Sequence, residues 1–306
     1  MISVALCTYN GEQYIEEQLS SILNQSQKVD EIVVCDDGST DRTIDIVKRI
    51  ARCNNDVNIR VFINDTTLGV CRNFEKAIYK CSGDIIFLSD QDDVWMQNKV
   101  EIIVNWFEKN QDKAVVFTDA FLIDENGLLL YDSQTLWNFT GMKNDKIKRQ
   151  YDNGYAFEIL ASENRCVGAT MALRRNFRFE FSIFAGSRVL HDDIIAMSAL
   201  LNNALGYIEF PSLMKYRIHD SQIVGIKNKN LMKSHNMYSI NSKSMSYVLL
   251  PMSKYFSKRL ELFILRSNVP KKTILKIHKY LVVYKSKWIY FWFHDITKLI
   301  NYLMKK

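Results

Sequence analysis

The chain has 306 residues, 47% hydrophobic and 24% charged, with 11 Gly and only 3 Pro, so collagen-like and low-complexity disordered chains are excluded. Its net charge of +6 is unevenly spread: residues 1–225 hold 23 Lys/Arg against 32 Asp/Glu, whereas residues 226–306 hold 17 Lys/Arg against Glu261 and Asp295 alone. That length suffices for a sizeable core in one large domain or two small ones, and the charge division predicts a functional boundary near Gly225.

In chain order, Ile2–Cys7 is a short apolar run without helical spacing, which predicts a strand ended by the polar Thr8-Tyr9-Asn10-Gly11. Ile15, Leu19, Ile22 and Leu23 then recur on one helical face. Glu31–Cys35 reads as a second strand, stopped by Asp36-Asp37-Gly38-Ser39-Thr40-Asp41, where Ser39 or Thr40 is expected to cap a helix through Ile44, Val47 and Ile50. Ile59–Ile63 is a third strand, followed by a helix from about Cys71 to Tyr79. Asp84–Leu88 is a fourth, running into Ser89-Asp90-Gln91-Asp92-Asp93. A helix through Val100, Ile103, Val104 and Phe107 leads to the strand Ala114–Thr118. Strands separated by helices of this length imply an α/β fold with a parallel sheet and right-handed crossovers.

Ligands bind such sheets at the carboxyl ends of their strands, and three ends here carry polar clusters. No G-x-G-x-x-G or P-loop pattern, no H-E-x-x-H, no zinc-type Cys/His spacing and no G-x-S-x-G occurs. A site of carboxylates with a hard cation is what remains. Asp90 and Asp92 point the same way if strand geometry persists, which suits Mg²⁺ or Mn²⁺ with positions left open for a diphosphate. The alternative is a solvated acidic loop capping the next helix. Asp36 and Asp37 likewise read as a turn or as ribose or base acceptors. The six cysteines form no C-x-x-C pair and are expected to be reduced, buried thiols. The opening residues lack a basic signal region, and no apolar run reaches the ~18 residues of a spanning helix, so a cytoplasmic protein is expected.

Thr8-Tyr9-Asn10, Asp36–Asp41, Leu68-Gly69 with Arg72-Asn73, Ser89–Asp93, Gly168-Ala169-Thr170 and His191-Asp192 follow one another in the order typical of glycosyltransferase family 2. Thr8–Glu12, Ser89–Trp95 and Tyr216–His219 resemble motifs of its bacterial rhamnosyltransferase-like subgroup in O-antigen and capsule synthesis. The resemblance covers about residues 1–225. It implies a GT-A fold, a Rossmann-like nucleotide-sugar-binding half (1–120) joined to an acceptor half (121–225).

Carried over, Thr8, Asp36, Asp37, Arg72, Asn73, Asp90 and Gly168 resemble the nucleotide-sugar contacts, with Gly168 letting backbone approach the donor sugar. Asp90 and Asp92 match the D-x-D positions, Asp92 being the more direct metal ligand, and His219 is a further metal or diphosphate contact. Asp192 matches the base of the family's E-D motif, with Asp193 as the alternative. Here His191 stands where Glu is usual and Asp193 where an aromatic is usual. For both acids the plainer reading is a helix N-terminal pair favoured by the helix dipole.

The resemblance implies an inverting transfer of one sugar, rhamnose or another hexose, from a dTDP- or UDP-linked donor to a glycan, lipid-linked acceptor. The processive signature Q-x-x-R-W is absent. Residues 226–306, basic and helical with the aromatic cluster Trp288–Phe293, read as a peripheral anchor on an anionic inner membrane face, or as a subdomain covering the sheet. No nucleic-acid motif accompanies the charge. The alternatives from other classes are a sugar-nucleotide nucleotidyltransferase and a non-catalytic nucleotide- or glycan-binding module.

Overall fold

In the computed structural model the residues described are 1–131, 134–143, 166–177 and 190–222, all within a single unit of the chain. The expected boundary near Gly225 and the basic stretch 226–306 lie outside them. In chain order the elements are β1 (Ile2–Thr8), α1 (Ile15–Leu23), β2 (Glu31–Asp36), α2 (Thr43–Cys53), β3 (Asn58–Ile63), α3 (Val70–Lys80) and β4 (Ile85–Ser89). There follow β5 (Val94–Trp95), α4 (Lys99–Lys109), β6 (Val115–Thr118), β7 (Phe121–Ile123) and α5 (Leu136–Thr140). A 3₁₀ turn (Gly168–Thr170), β8 (Ala172–Arg174), α6 (His191–Leu201), β9 (Leu205–Ile208) and β10 (Met214–Arg217) complete the described fold.

Seven strands form one sheet in the order β3-β2-β1-β4-β8-β6-β9. β1 and β2 are buried along their whole length, as central strands covered on both faces must be, and this explains their unbroken apolar runs. Parallel register sets Thr8 opposite Asp36 and Leu6 opposite Ser89, so the carboxyl ends of β1, β2 and β4 meet at one edge. Ile15, Leu19 and Ile22 of α1 and Val100, Ile103 and Phe107 of α4 fill the core, each residue contributing roughly 1.5–3 kcal/mol on burial.

The structure departs from the sequence reading in four places. The sheet is not wholly parallel: β8 runs antiparallel between β4 and β6. A second sheet, β5-β10-β7, arises from strands of two to four residues, too short to leave a periodic signal. Neither Ser39 nor Thr40 caps α2. The helix starts at Thr43, whose N–H and hydroxyl both donate to Asp41, while Ser39 donates to Asp36. All six cysteines are free, but Cys53 is exposed and Cys71 half-buried, so burial holds for four of them. Among the described residues no helix is long and apolar enough to cross a membrane.

Glu31 begins β2 with its side chain 1% exposed. Burial opposes its charge, but hydrogen bonds from the Ser3 hydroxyl, the Ser82 N–H and hydroxyl, and Arg60 outweigh that cost and hold the carboxyl down at about 2. Because the folded value lies below the ordinary glutamate value of 4.5, the stabilisation is full above the unfolded pKa and is lost as pH falls through about 2. Glu31→Gln is expected to reduce unfolding free energy at pH 7 by about 2–3 kcal/mol. Urea titrations should show the gap between variant and wild type closing as pH drops below the unfolded carboxyl range.

Candidate active site

Two loops at the strand ends are laced together. The Thr8 hydroxyl donates to Asp36 at 2.7 Å, and the same carboxylate accepts from the Gly38 and Ser39 N–H groups and the Ser39 hydroxyl. Asn10 accepts from the Thr40 N–H and its own N–H donates to Ser39, while Gly11 and Glu12 donate to Thr43 and Asp41. Both oxygens of Asp36 are therefore filled from within the chain. It fixes the shape of the pocket wall, and to touch a nucleotide it would have to release one of these donors.

Asp37 does the same for the next loop. Its carboxylate accepts from the Asn64 amide and from the Leu68 and Gly69 N–H groups at 2.7–2.8 Å. Asn64 also donates to Asn73, whose own amide donates to the Cys35 carbonyl. Asn73 is buried and bonded at both ends, so it too braces the pocket. Arg72 is exposed at the start of α3, and burial pushes the thiol of its neighbour Cys71 up to about 12, with the charges of Glu75, Asp192 and Asp193 adding to this while Arg72 opposes it.

The acidic loop after β4 is held from three sides. Gln91 accepts from the Tyr9 N–H and donates to the Tyr9 carbonyl, and a Cβ on Gly11 would lie 2.2 Å from its amide, so a side chain there would have to displace Gln91. Arg217, 1% exposed, donates from its backbone to Asp93 and from its guanidinium to the Asp92, Asp124 and Glu125 carbonyls and to Glu17. His219 Nε2 lies 2.9 Å from Asp92 Oδ2, and its Nδ1 lies 2.7 Å from the Ser221 hydroxyl. With both ring nitrogens engaged, His219 orients Asp92. As a direct metal ligand it would have to give up one of these bonds.

Negative charge is crowded here. Burial, then the charges of Asp92 and Asp192, push Asp90 well above the usual carboxylate range, with Lys99 opposing. Burial, Asp92 and Asp90 push Asp93 up as well, and its Oδ2 is buried without a hydrogen-bond partner. Burial also lowers Lys99 to about 7 against the pull of Asp93 and Asp90. Among the described residues no three His, Cys, Asp or Glu side chains converge as a protein-only cage. Two carboxylates in a crowd of like charge do fit a hard cation that takes its other oxygens from a diphosphate and water. A buried orphan carboxylate oxygen beside them agrees with that donor chemistry.

The last component is the Gly168–Thr170 turn. The Gly168 N–H donates to Asp192 Oδ2 at 3.2 Å, and Asp192 Oδ1 accepts from the Asp193 N–H. Asp193 is pushed well up by burial and by Asp192, so of the tandem Asp192 is the acid tied to the turn. His191 stacks on Phe74 with ring centroids 3.9 Å apart, and burial lowers it to about 3. Its Nε2 would lie 2.3 Å from a Cβ on Gly168. A side chain at 168 would therefore have to displace the imidazole.

Gln91, Lys99, His191 and Arg217 are the residues whose roles sequence reasoning missed. Lys99 had a signal: it lies four residues before Ile103 and eight before Phe107, on the apolar face of α4. Gly168→Ala is expected to destabilise by about 1–3 kcal/mol through overpacking against His191. His191→Ala in the same chain should recover part of that loss. Melting curves of the single and double variants test this, and a double variant no more stable than Gly168→Ala would refute the contact.

The family model described as "Glycosyl transferase family 2" matches residues 3–165. The dTDP-rhamnosyl transferase RfbG of Shigella flexneri is 31% identical over 233 residues, covering 72% of this chain and 73% of that protein. An uncharacterized glycosyltransferase of Haemophilus influenzae is 26% identical over 260 residues, covering 81% and 74%. Among solved structures, S. aureus TarS 1-349 in complex with UDP-GlcNAc superposes with a TM-score of 0.52 at 17% identity, covering 92% of this chain and 80% of that one. The mixed sheet, with its carboxyl-edge loops, has the GT-A arrangement of that neighbour. On its matched sequence and its fold, the chain belongs to glycosyltransferase family 2.

Proposed function

We propose that this protein is an inverting, metal-dependent glycosyltransferase that moves one sugar from a nucleoside-diphosphate donor to a hydroxyl of a surface-polysaccharide acceptor. The observation that carries the reading is the common charge environment of Asp90, Asp92 and Asp192 at the edge where β1, β2 and β4 end. A cation-binding pair and a base from a different element approach one another there. The printed name of the Shigella relative favours a dTDP-linked rhamnose donor, and the TarS complex favours testing UDP-N-acetylglucosamine beside it.

In this mechanism Thr8, Asp36, Asp37 and Asn73 shape the nucleotide pocket, and Arg72 offers an exposed cation near the base. Asp90 and Asp92 would hold Mg²⁺ or Mn²⁺, with His219 steadying Asp92. Such an ion, when bound, supplies positive charge beside the diphosphate. Asp192 takes the proton of the acceptor hydroxyl. The hydroxyl oxygen then bonds the anomeric carbon from the face opposite the diphosphate, whose oxygen departs with the bonding electron pair. A lipid-linked acceptor at an anionic membrane face is the part of the reading that rests on the basic composition of residues 226–306, taken as a unit separate from 1–225.

Donor hydrolysis and transfer should be assayed with dTDP-rhamnose, UDP-glucose and UDP-N-acetylglucosamine. EDTA is expected to abolish turnover and weaken diphosphate binding, and Asp92→Ala should do the same in excess metal. Full turnover under both conditions would sink the metal assignment. Asp192→Asn should keep diphosphate affinity while losing about 10²-fold or more in kcat. If Asp193→Asn alone produces that loss, the base is the neighbouring acid.

A further inference from the structure

Lys99 is the one fully buried ammonium in the site, and the transfer mechanism does not use it. It opens α4 with its side chain 0% exposed. Among the described residues no carboxylate lies within ion-pair distance of it, although Asp93 and Asp90 both act on its charge. Its Nζ donates to the Ala169 carbonyl at 3.1 Å, sits 3.5 Å from the Met214 sulfur and lies 4.1 Å from the centre of the Trp95 ring. A buried, unpaired cation is costly, so this arrangement needs a compensating role. The residue it holds supplies one. Ala169 is the middle of the Gly168–Thr170 turn, and the Gly168 N–H of that turn donates to Asp192.

We propose that Lys99 is a positioning residue that ties the Gly168–Thr170 turn to the β5–α4 segment and thereby sets Asp192 for proton abstraction. The turn is gripped at one carbonyl by an ammonium rooted beside the acidic loop, and at the preceding N–H by the base itself. Lys99 touches neither donor nor acceptor. Its influence passes through two residues of backbone, Ala169 and Gly168, which is short enough to be stiff. The proposal rests on the glycosyl-transfer reading above, and it adds a physical link between the cation-binding half of the site and the base.

A double-mutant cycle on the full chain, with the donor that wild type turns over fastest, tests this. Lys99→Met is expected to keep nucleoside-diphosphate affinity within about threefold while lowering kcat by about tenfold or more. In the Asp192→Asn background the same substitution should change the residual rate by less than about threefold, since a residue acting only through the base has nothing left to act on. Independent, multiplying losses would overturn the proposal, as would a Lys99→Met protein that melts earlier but keeps full kcat. If Lys99→Met does not fold, Lys99→Arg enters the same cycle: it keeps the charge but forces a longer head against Ala169. Wild-type kcat in Lys99→Arg would then overturn the positioning role. A wild-type chain that binds no nucleoside diphosphate, and loses nothing with Asp192→Asn, overturns the transfer reading and this proposal with it.

Discussion

The guanidinium of Arg217 is the constraint on which the candidate site depends. It is almost fully buried, stacks over Tyr14 at 4.7 Å, and joins α1, the acidic loop, the chain after β7, and β10. A planar group with five donors can satisfy carbonyls in several directions at once, which a lysine in its place cannot do. Because it holds the Asp92 carbonyl and, through its backbone, the Asp93 carboxylate, the like-charged side chains of that loop stay gathered despite their repulsion. The second sheet then appears as the frame of this one residue. β10 must lie between β5 and β7 for Arg217 to reach all its partners.

Asp36 and Asp37, read from sequence as ligand contacts, also act as joints between loops. Asp36 and Asp37 each gather donors from a neighbouring loop, and Asn73 ties α3 to the Cys35 carbonyl. Desolvated carboxylates saturated by N–H and O–H donors make the pocket rigid before any ligand arrives, and rigidity of this kind is what orients a substrate for reaction. The polar clusters at the strand ends are thus scaffold as much as site. Asp92 and Asp192, from two separate parts of the chain, both act on the charge of Asp90.

Much of this was legible in advance. Apolar runs with helical interludes located β1 to β4 and α1 to α4, because buried parallel strands and amphipathic helices leave strong periodic traces. Membership of glycosyltransferase family 2 was legible from motif order. What the sequence concealed depends on distant approach. β8 is three residues long, so nothing local announces that it enters the sheet antiparallel beside β4. The crowding at Gly168 comes from His191, twenty-three positions away, and that at Gly11 from Gln91. Arg217 lay within a recognised motif, yet its burial follows from tertiary packing that no short pattern encodes.

The insertion of β8 between β4 and β6 has a consequence for biosynthesis. When β4 leaves the ribosome, its far edge has no partner, and the strand that fills it is encoded about 80 residues later. At 5–20 residues per second that gap lasts about 4–16 s, during which an apolar strand edge stands open to other nascent chains. The N-terminal half therefore cannot finish its sheet as it is made. It must wait for Ala172–Arg174, and only then can β6 and β9 dock beyond it and the Gly168–Thr170 turn reach the acidic loop. The candidate site is completed later still, because Asp192, Arg217 and His219 all follow that short strand in the chain.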